Sequence, residues 1–221
     1  MQFVKFAMLL VCFISGTACA RSTDSISPAD FRVPNPTVEE RESILAKYDH
    51  IDPQQILDTR LLEQAVIYFD KNKMKIRNQR YLSVIDFSKN SREKRFYIIN
   101  MVTGAVWNIH TSHGRGSDPD WDGYAQKFSN VVDSNASSLG FYLTDETYYG
   151  KHGLSLRLDG LSPTNSNARE RAIVIHGADY VQNANRNQGR SFGCPAVAME
   201  SRDRVIDLLK NGSLILATHS R

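Results

Sequence analysis

His176 and Cys194 lie eighteen residues apart in the stretch from Ala172 to Pro195, AIVIHGADYVQNANRNQGRSFGCP. A thiol attacks a carbonyl as its thiolate, and an adjacent imidazole generates that species by taking the proton or by holding it in an ion pair. His176 ends an apolar run and is followed by Gly177. Cys194 sits on a glycine-flanked turn, Ser191-Phe192-Gly193-Cys194. A strand end and a returning turn can meet in space. Gly193 would permit close substrate approach, and the N–H groups of Gly193 and Cys194 would face a developing oxyanion. The thiolate should then titrate below the ordinary thiol value of about 8.5. The competing reading makes Cys194 a small buried apolar residue and His176 a satisfied core histidine.

A second histidine pair, His110 and His113, forms H-x-x-H. That pattern alone is a weak zinc signal, because loop geometry need not bring both rings onto one ion. A zinc hydrolase on His110, His113 and His176 is the metal alternative; the preferred reading assigns no metal and no cofactor. His113 lies in SHGRGS, Ser112–Ser117, whose two glycines allow close backbone approach.

Period-two patterns predict the elements that must hold these residues. Strands are expected at Tyr81–Phe87, Arg95–Met101, Ala105–His110, Ser138–Thr144, Leu154–Leu158, Arg171–His176 and Leu214–Thr218, with a late helix over Glu200–Lys210. Before them, Ile44, Leu45 and Tyr48, then Ile56, Leu61, Leu62, Ala65, Val66 and Phe69, fall at helical spacing, and Pro53 suits the start of the second helix. The fold class is therefore mainly β with peripheral helices, an α+β arrangement.

Residues 1–20 carry a basic start at Lys5, an apolar run from Phe6 to Ile14, and small residues ending Ala18-Cys19-Ala20. This reads as a secretory signal cut after Ala20. A lipid anchor at Cys19 is the alternative, and Gly16 fits a lipoprotein signal poorly. Residues 21–37, with Pro28, Pro34 and Pro36, read as a flexible tether, 38–75 as a helical segment packed on the core, and 76–221 as the catalytic domain. Of 27 basic and 24 acidic residues, loss of Lys5 leaves 26 against 24. That balance gives no footprint for nucleic acid, and no second apolar run reaches membrane length. Of Cys12, Cys19 and Cys194, cleavage leaves Cys194 alone, and an unpaired thiol outside the cytoplasm is either inert or kept for reactivity.

The order His-Gly, a long loop, then Ser-x-Gly-Cys resembles the signature of YkuD-like L,D-transpeptidases. SHGRGS, SSLGFYLT at Ser137–Thr144, YYGKHGLSLRLDGL at Tyr148–Leu161 and RERAIVIHGADYV at Arg169–Val181 are similar to its murein L,D-transpeptidase branch, over roughly Tyr81 to Thr218. The resemblance implies a β-sandwich or β-barrel catalytic domain with Cys194 as nucleophile, His176 as base and the Gly177 carbonyl orienting the ring. It also implies a peptidoglycan stem peptide as partner; the leader makes an exported enzyme of the periplasm or cell envelope the expectation, and a monomer is expected. Ser191, His113, Arg115, His152, Arg157 and Arg190 are the candidate stem-peptide contacts, while Phe141, Tyr148 and Tyr149 read as core. Two residues depart from the commoner family form: Phe192 replaces a histidine, and Pro195-Ala196 replaces an aliphatic residue and an arginine. L,D-carboxypeptidase or endopeptidase action on the same substrate is the alternative chemistry. A sortase would need wider spacing and an arginine within Leu214–Thr218, and a non-catalytic murein-binding protein would not need both His176 and Cys194.

Overall fold

The structure is a computed structural model that describes residues 30–220; the expected signal, Cys12, Cys19 and the start of the tether lie outside them. Helix α1 spans Val38–Ala46 and opens with a reciprocal capping box, in which Thr37 Oγ1 accepts from Glu40 N while Glu40 accepts from Thr37 N. Its only buried residue is Ile44. Helix α2 spans Thr59–Asn72 and is capped by Asp58, whose carboxylate accepts from Arg60 N. It begins six residues after Pro53, and the reason is local. Asp52 and Gln55 both take positive φ, and the Asp52 carboxylate accepts from Ile56 N and Leu57 N at 3.0 and 2.8 Å, folding the chain into a turn that no helix can enter.

Leu61, Ala65, Val66 and Phe69 fall on one face of α2 and are buried. Tyr68 stacks on Phe141 of the sheet, ring centroids 3.6 Å apart. Burying side chains of this size contributes roughly 1.5–3 kcal/mol each, which fixes the helical segment on the main body.

Seven strands form one sheet: β1 Tyr81–Asp86, β2 Phe96–Asn100, β3 Val106–Ile109, β4 Gly140–Gly150, β5 Gly153–Gly160, β6 Val174–His176 and β7 Leu214–Thr218. Their order is β3-β2-β1-β7-β4-β5-β6, and β1 with β7 is the parallel pair in an otherwise antiparallel ladder. The central strands are covered on both faces, which explains why they read as nearly continuous apolar runs. Leu82, Val84, Leu214 and Leu216 face the helical segment; Ile85, Ile215 and Ala217 face a second cluster shared with helix α3, Met199–Leu209.

That second cluster also holds Ile109 from one sheet edge and Ile175 from the other, so the sheet curls until its edges approach. Residues beyond the edges complete the approach. Gly114 bridges Ser191 and Gly177 bridges Val197, both in parallel sense, which lays the cysteine segment between the extensions of β3 and β6. Among the described residues, no helix is long and apolar enough to cross a membrane.

Candidate active site

Strand β6 is three residues long, shorter than the Arg171–His176 expectation, because Ala172 has φ +51° and stays in the preceding turn. The segment Cys194–Val197 runs beside it. Val197 N donates to His176 O and Ala178 N to Val197 O, each at 2.9 Å. In this register Cys194 lies beside the start of β6, and Val174 N donates to its Sγ at 3.5 Å. The thiol in turn points to Ala172 O at 3.7 Å. No hydrogen bond joins Sγ to either ring nitrogen of His176.

His176 is 2 % exposed, and its Nδ1 lies 2.9 Å from Gly177 O. A carbonyl can only accept, so Nδ1 carries the proton and Nε2 is left as the basic nitrogen. Burial lowers the imidazole below its ordinary value, with the Gly177 bond opposing and His152 and Lys151 adding to the fall. The exposed ring of His152, at the turn of the β4–β5 hairpin, stacks on His176 with centroids 4.3 Å apart. His152 is thus the one proposed contact residue brought directly against the imidazole.

Burial pushes the Cys194 thiol up, while the Val174 amide, Arg171 and Lys151 pull it down. The direction is opposite to the depressed titration expected from the sequence. The expectation assumed an imidazolium beside the sulfur, whereas the resting structure holds a neutral thiol against backbone groups and an imidazole kept neutral by burial.

The turn around Cys194 is tied down from several sides. Ser191 Oγ donates to Cys194 O at 2.6 Å and accepts from Gly193 N at 3.1 Å; Ser112 Oγ also donates to Cys194 O. Two assignments change as a result. Ser191 is buried and positions the turn rather than contacting substrate, and the Gly193 N–H is engaged and not open to an oxyanion. Gly193 is required for another reason: its φ is +122°, and a Cβ there would lie 2.8 Å from Ala136 O.

His113 also departs from expectation. It is 1 % exposed and sits in a buried chain, Arg95 Nη2 donating to Nδ1 at 2.8 Å and Nε2 donating to Asp118 Oδ2 at 3.1 Å. It cannot line a cleft. Arg95, fully buried, also donates to Thr111 O and Lys89 O, so the cluster anchors the 111–123 loop. His110 places Nε2 on Arg92 O, and the three histidines of the zinc alternative each engage different groups. Among the described residues no group of three or more His, Cys, Asp and Glu side chains could hold a metal ion.

Of the remaining candidates, Arg115 lies over the Phe192 ring at 4.6 Å, next to the Cys194 turn. Phe192 is 58 % exposed there, and Ala196, at the position of the missing arginine, is buried and bonded to Thr111 and Ser112. Arg190 donates to Asp118 O and covers Trp121, and Arg157 pairs with Glu146 over Tyr148 on the hairpin face. Tyr149 is exposed, contrary to its reading as core; the extension of β4 beyond Thr144 carries it past the body of the sheet. Sequence reasoning did not single out Arg171, which packs beside the Cys194 turn. Its guanidinium donates to Ser129 O, Ser138 Oγ and Ala136 O, and would lie 3.1 Å from a Cβ on Gly193.

No curated protein matches the chain significantly. Among solved structures, the L,D-transpeptidase LdtMt1 in complex with imipenem is 13 % identical over 63 % of this chain and 59 % of its own, with a TM-score of 0.40. Bd1075 of Bdellovibrio bacteriovorus is 15 % identical over 63 % and 47 %, TM-score 0.39. The helical cell shape determining protein Pgp2 of Campylobacter jejuni is 12 % identical over 64 % and 49 %, TM-score 0.36. The chain thus spans about half the length of the structures it matches. The family model described as L,D-transpeptidase catalytic domain matches residues 53–218, from the loop before α2 to the last residue of β7. That match covers most of the chain and every strand that builds the site, and the chain belongs to the L,D-transpeptidase catalytic domain family.

Proposed function

We propose that the chain is an exported cysteine enzyme acting on peptidoglycan stem peptides, with Cys194 as nucleophile and His176 as base. The observation that carries this reading is the 2.9 Å contact from His176 Nδ1 to Gly177 O, on a strand that runs beside the cysteine segment. It holds the imidazole in the tautomer whose Nε2 can take a proton.

In the proposed reaction Cys194 turns its side chain from Ala172 O towards the substrate and gives its proton to His176 Nε2. The sulfur forms a bond to the carbonyl carbon that follows an L-centre, and the bond to the terminal D-amino acid breaks as His176 returns the proton to the leaving amine. The Cys194 N–H is the donor offered to the oxyanion. The thioester is then taken by an amine of a neighbouring stem, giving a crosslink, by an amine of a lipoprotein, by a free D-amino acid, or by water, giving the carboxypeptidase outcome. Export rests on the leader-like residues 1–20, with soluble release preferred to an anchor at Cys19.

Mass analysis of murein fragments after incubation with the purified protein tests the reading. New crosslinked dimers mark transpeptidation, shortened monomers mark carboxypeptidation, and cleaved dimers mark endopeptidase action. Tetrapeptide and dimer fragments that all stay unchanged would sink it.

A further inference from the structure

A second concave region lies beyond the nucleophile segment, at the far end of β3. It is an open cavity of about 820 Å³ bordered by the 90–94 turn, the end of β3 and the 183–185 loop. At its wall stands His110, 5 % exposed, two residues before the Ser112 that donates to Cys194 O. His110 Nε2 faces Arg92 O at 3.1 Å and so carries the ring proton. Nδ1 is then a buried acceptor, and among the described residues it has no hydrogen-bond partner. Asn183 lies within hydrogen-bonding reach of this ring, but both its amide N–H groups are committed to Glu200 and Ser201, so what it can turn to Nδ1 is its carbonyl oxygen, a second acceptor and no donor. A buried acceptor left unsatisfied costs about 1–3 kcal/mol, which a donor entering from the cavity would recover.

The rest of the wall indicates the kind of donor. Asn108 and Asn185 each offer an amide with both a donor and an acceptor. Arg92 and Lys94 are balanced there by Glu93 and Asp122, so the cavity selects neither an anion nor a cation. A neutral ligand with N–H or O–H donors beside carbonyl or hydroxyl acceptors fits this lining. We infer that the cavity is a saccharide-binding site for an N-acetylated amino sugar, whose acetamido N–H or a neighbouring hydroxyl is received by His110 Nδ1. The choice of that sugar rests on peptidoglycan being the substrate, since its glycan strands carry acetamido groups. The site would hold the glycan while the stem peptide reaches Cys194.

The test is titration of the isotope-labelled full chain with tetra-N-acetylchitotetraose, read by NMR on asparagine side-chain amides and histidine rings. Saturable shifts at His110, Asn108 and Asn185, with a dissociation constant of about 10 mM or tighter, are expected. Asn108→Ala and Asn185→Ala, on the cavity rim, should each weaken binding about fivefold, as for one lost hydrogen bond. His110→Leu should remove binding with the spectrum otherwise folded. Cellotetraose, lacking acetamido groups, should bind more weakly. Absence of saturable shifts, or binding indifferent to both asparagine substitutions, overturns the proposal, and equal binding of the two tetramers overturns the acetamido assignment. Chitotetraose carries no peptide, so binding without turnover of murein fragments would count against the catalytic reading alone, and turnover without binding against the saccharide site alone.

Discussion

His152 lays its ring against His176, centroids 4.3 Å apart and planes 25° from parallel, so the β4–β5 hairpin shields the proposed base from one side. Its removal should hydrate His176 and take away a neighbouring positive charge, both of which raise the imidazole from its lowered value. For His152→Ala the acid limb of the kcat/KM profile should therefore move to higher pH. kcat should fall roughly tenfold through loss of ring orientation. An unshifted acid limb would mean that the stack has no bearing on the base.

The thiol and the imidazole are pushed in opposite directions, Cys194 up and His176 down, so the resting pair is neutral at physiological pH. Iodoacetamide labelling of Cys194 should then rise with pH through a midpoint above about 8.5. Arg171→Gln, which removes a charge that favours the thiolate, should move it higher still. A wild-type midpoint below 8.5 would instead indicate a resting thiolate–imidazolium pair.

The buried chain Arg95–His113–Asp118 predicts an acid-sensitive fold. Burial, then Arg95 and Arg190, depress His113 to about 3. Below about 6.5 the unfolded chain binds a proton that the folded chain refuses, so stability is lost as pH falls from that value towards about 3. The slope from this one group is at most about 1.4 kcal/mol per pH unit. Denaturant melts of wild type and His113→Leu across that window should show the slope reduced in the variant. His113→Ala should lower stability by about 2–4 kcal/mol while folded protein still labels at Cys194. Unchanged stability with lost turnover would put His113 back in the cleft.

Gly193→Ala places a side chain at φ +122° and 2.8 Å from a backbone oxygen, so the turn that carries Cys194 must shift. Such strain costs about 1–3 kcal/mol, and activity should drop by more than the stability change alone explains. Thermal melts alongside kinetics separate the two effects.

The strands were legible as short apolar runs rich in β-branched and aromatic residues and bounded by turn residues; Leu214–Thr218 is a strand over the expected residues. Helix α2 was misjudged at its start because the Asp52 carboxylate, not Pro53, organises the preceding turn. Of the candidate site residues, His176 and Cys194 were visible in the sequence by their order and spacing, and Gly177 through the family resemblance. His113 was not, since nothing in SHGRGS reveals that Arg95, eighteen residues earlier, fills the space beside it. Arg171 was invisible for the same reason: its acceptors lie in the 129–138 loop, and only the curled sheet brings them together.

The central claim, a thioester on Cys194, is tested most directly by intact-mass analysis of protein quenched in acid during turnover of a murein tetrapeptide. The account predicts an adduct equal to the tripeptide acyl group, mapped by peptide fragmentation to Cys194. It should be missing in Cys194→Ala, whose turnover should fall by about 10⁴-fold or more. Sustained turnover in Cys194→Ala, or an adduct on another residue, would contradict the account.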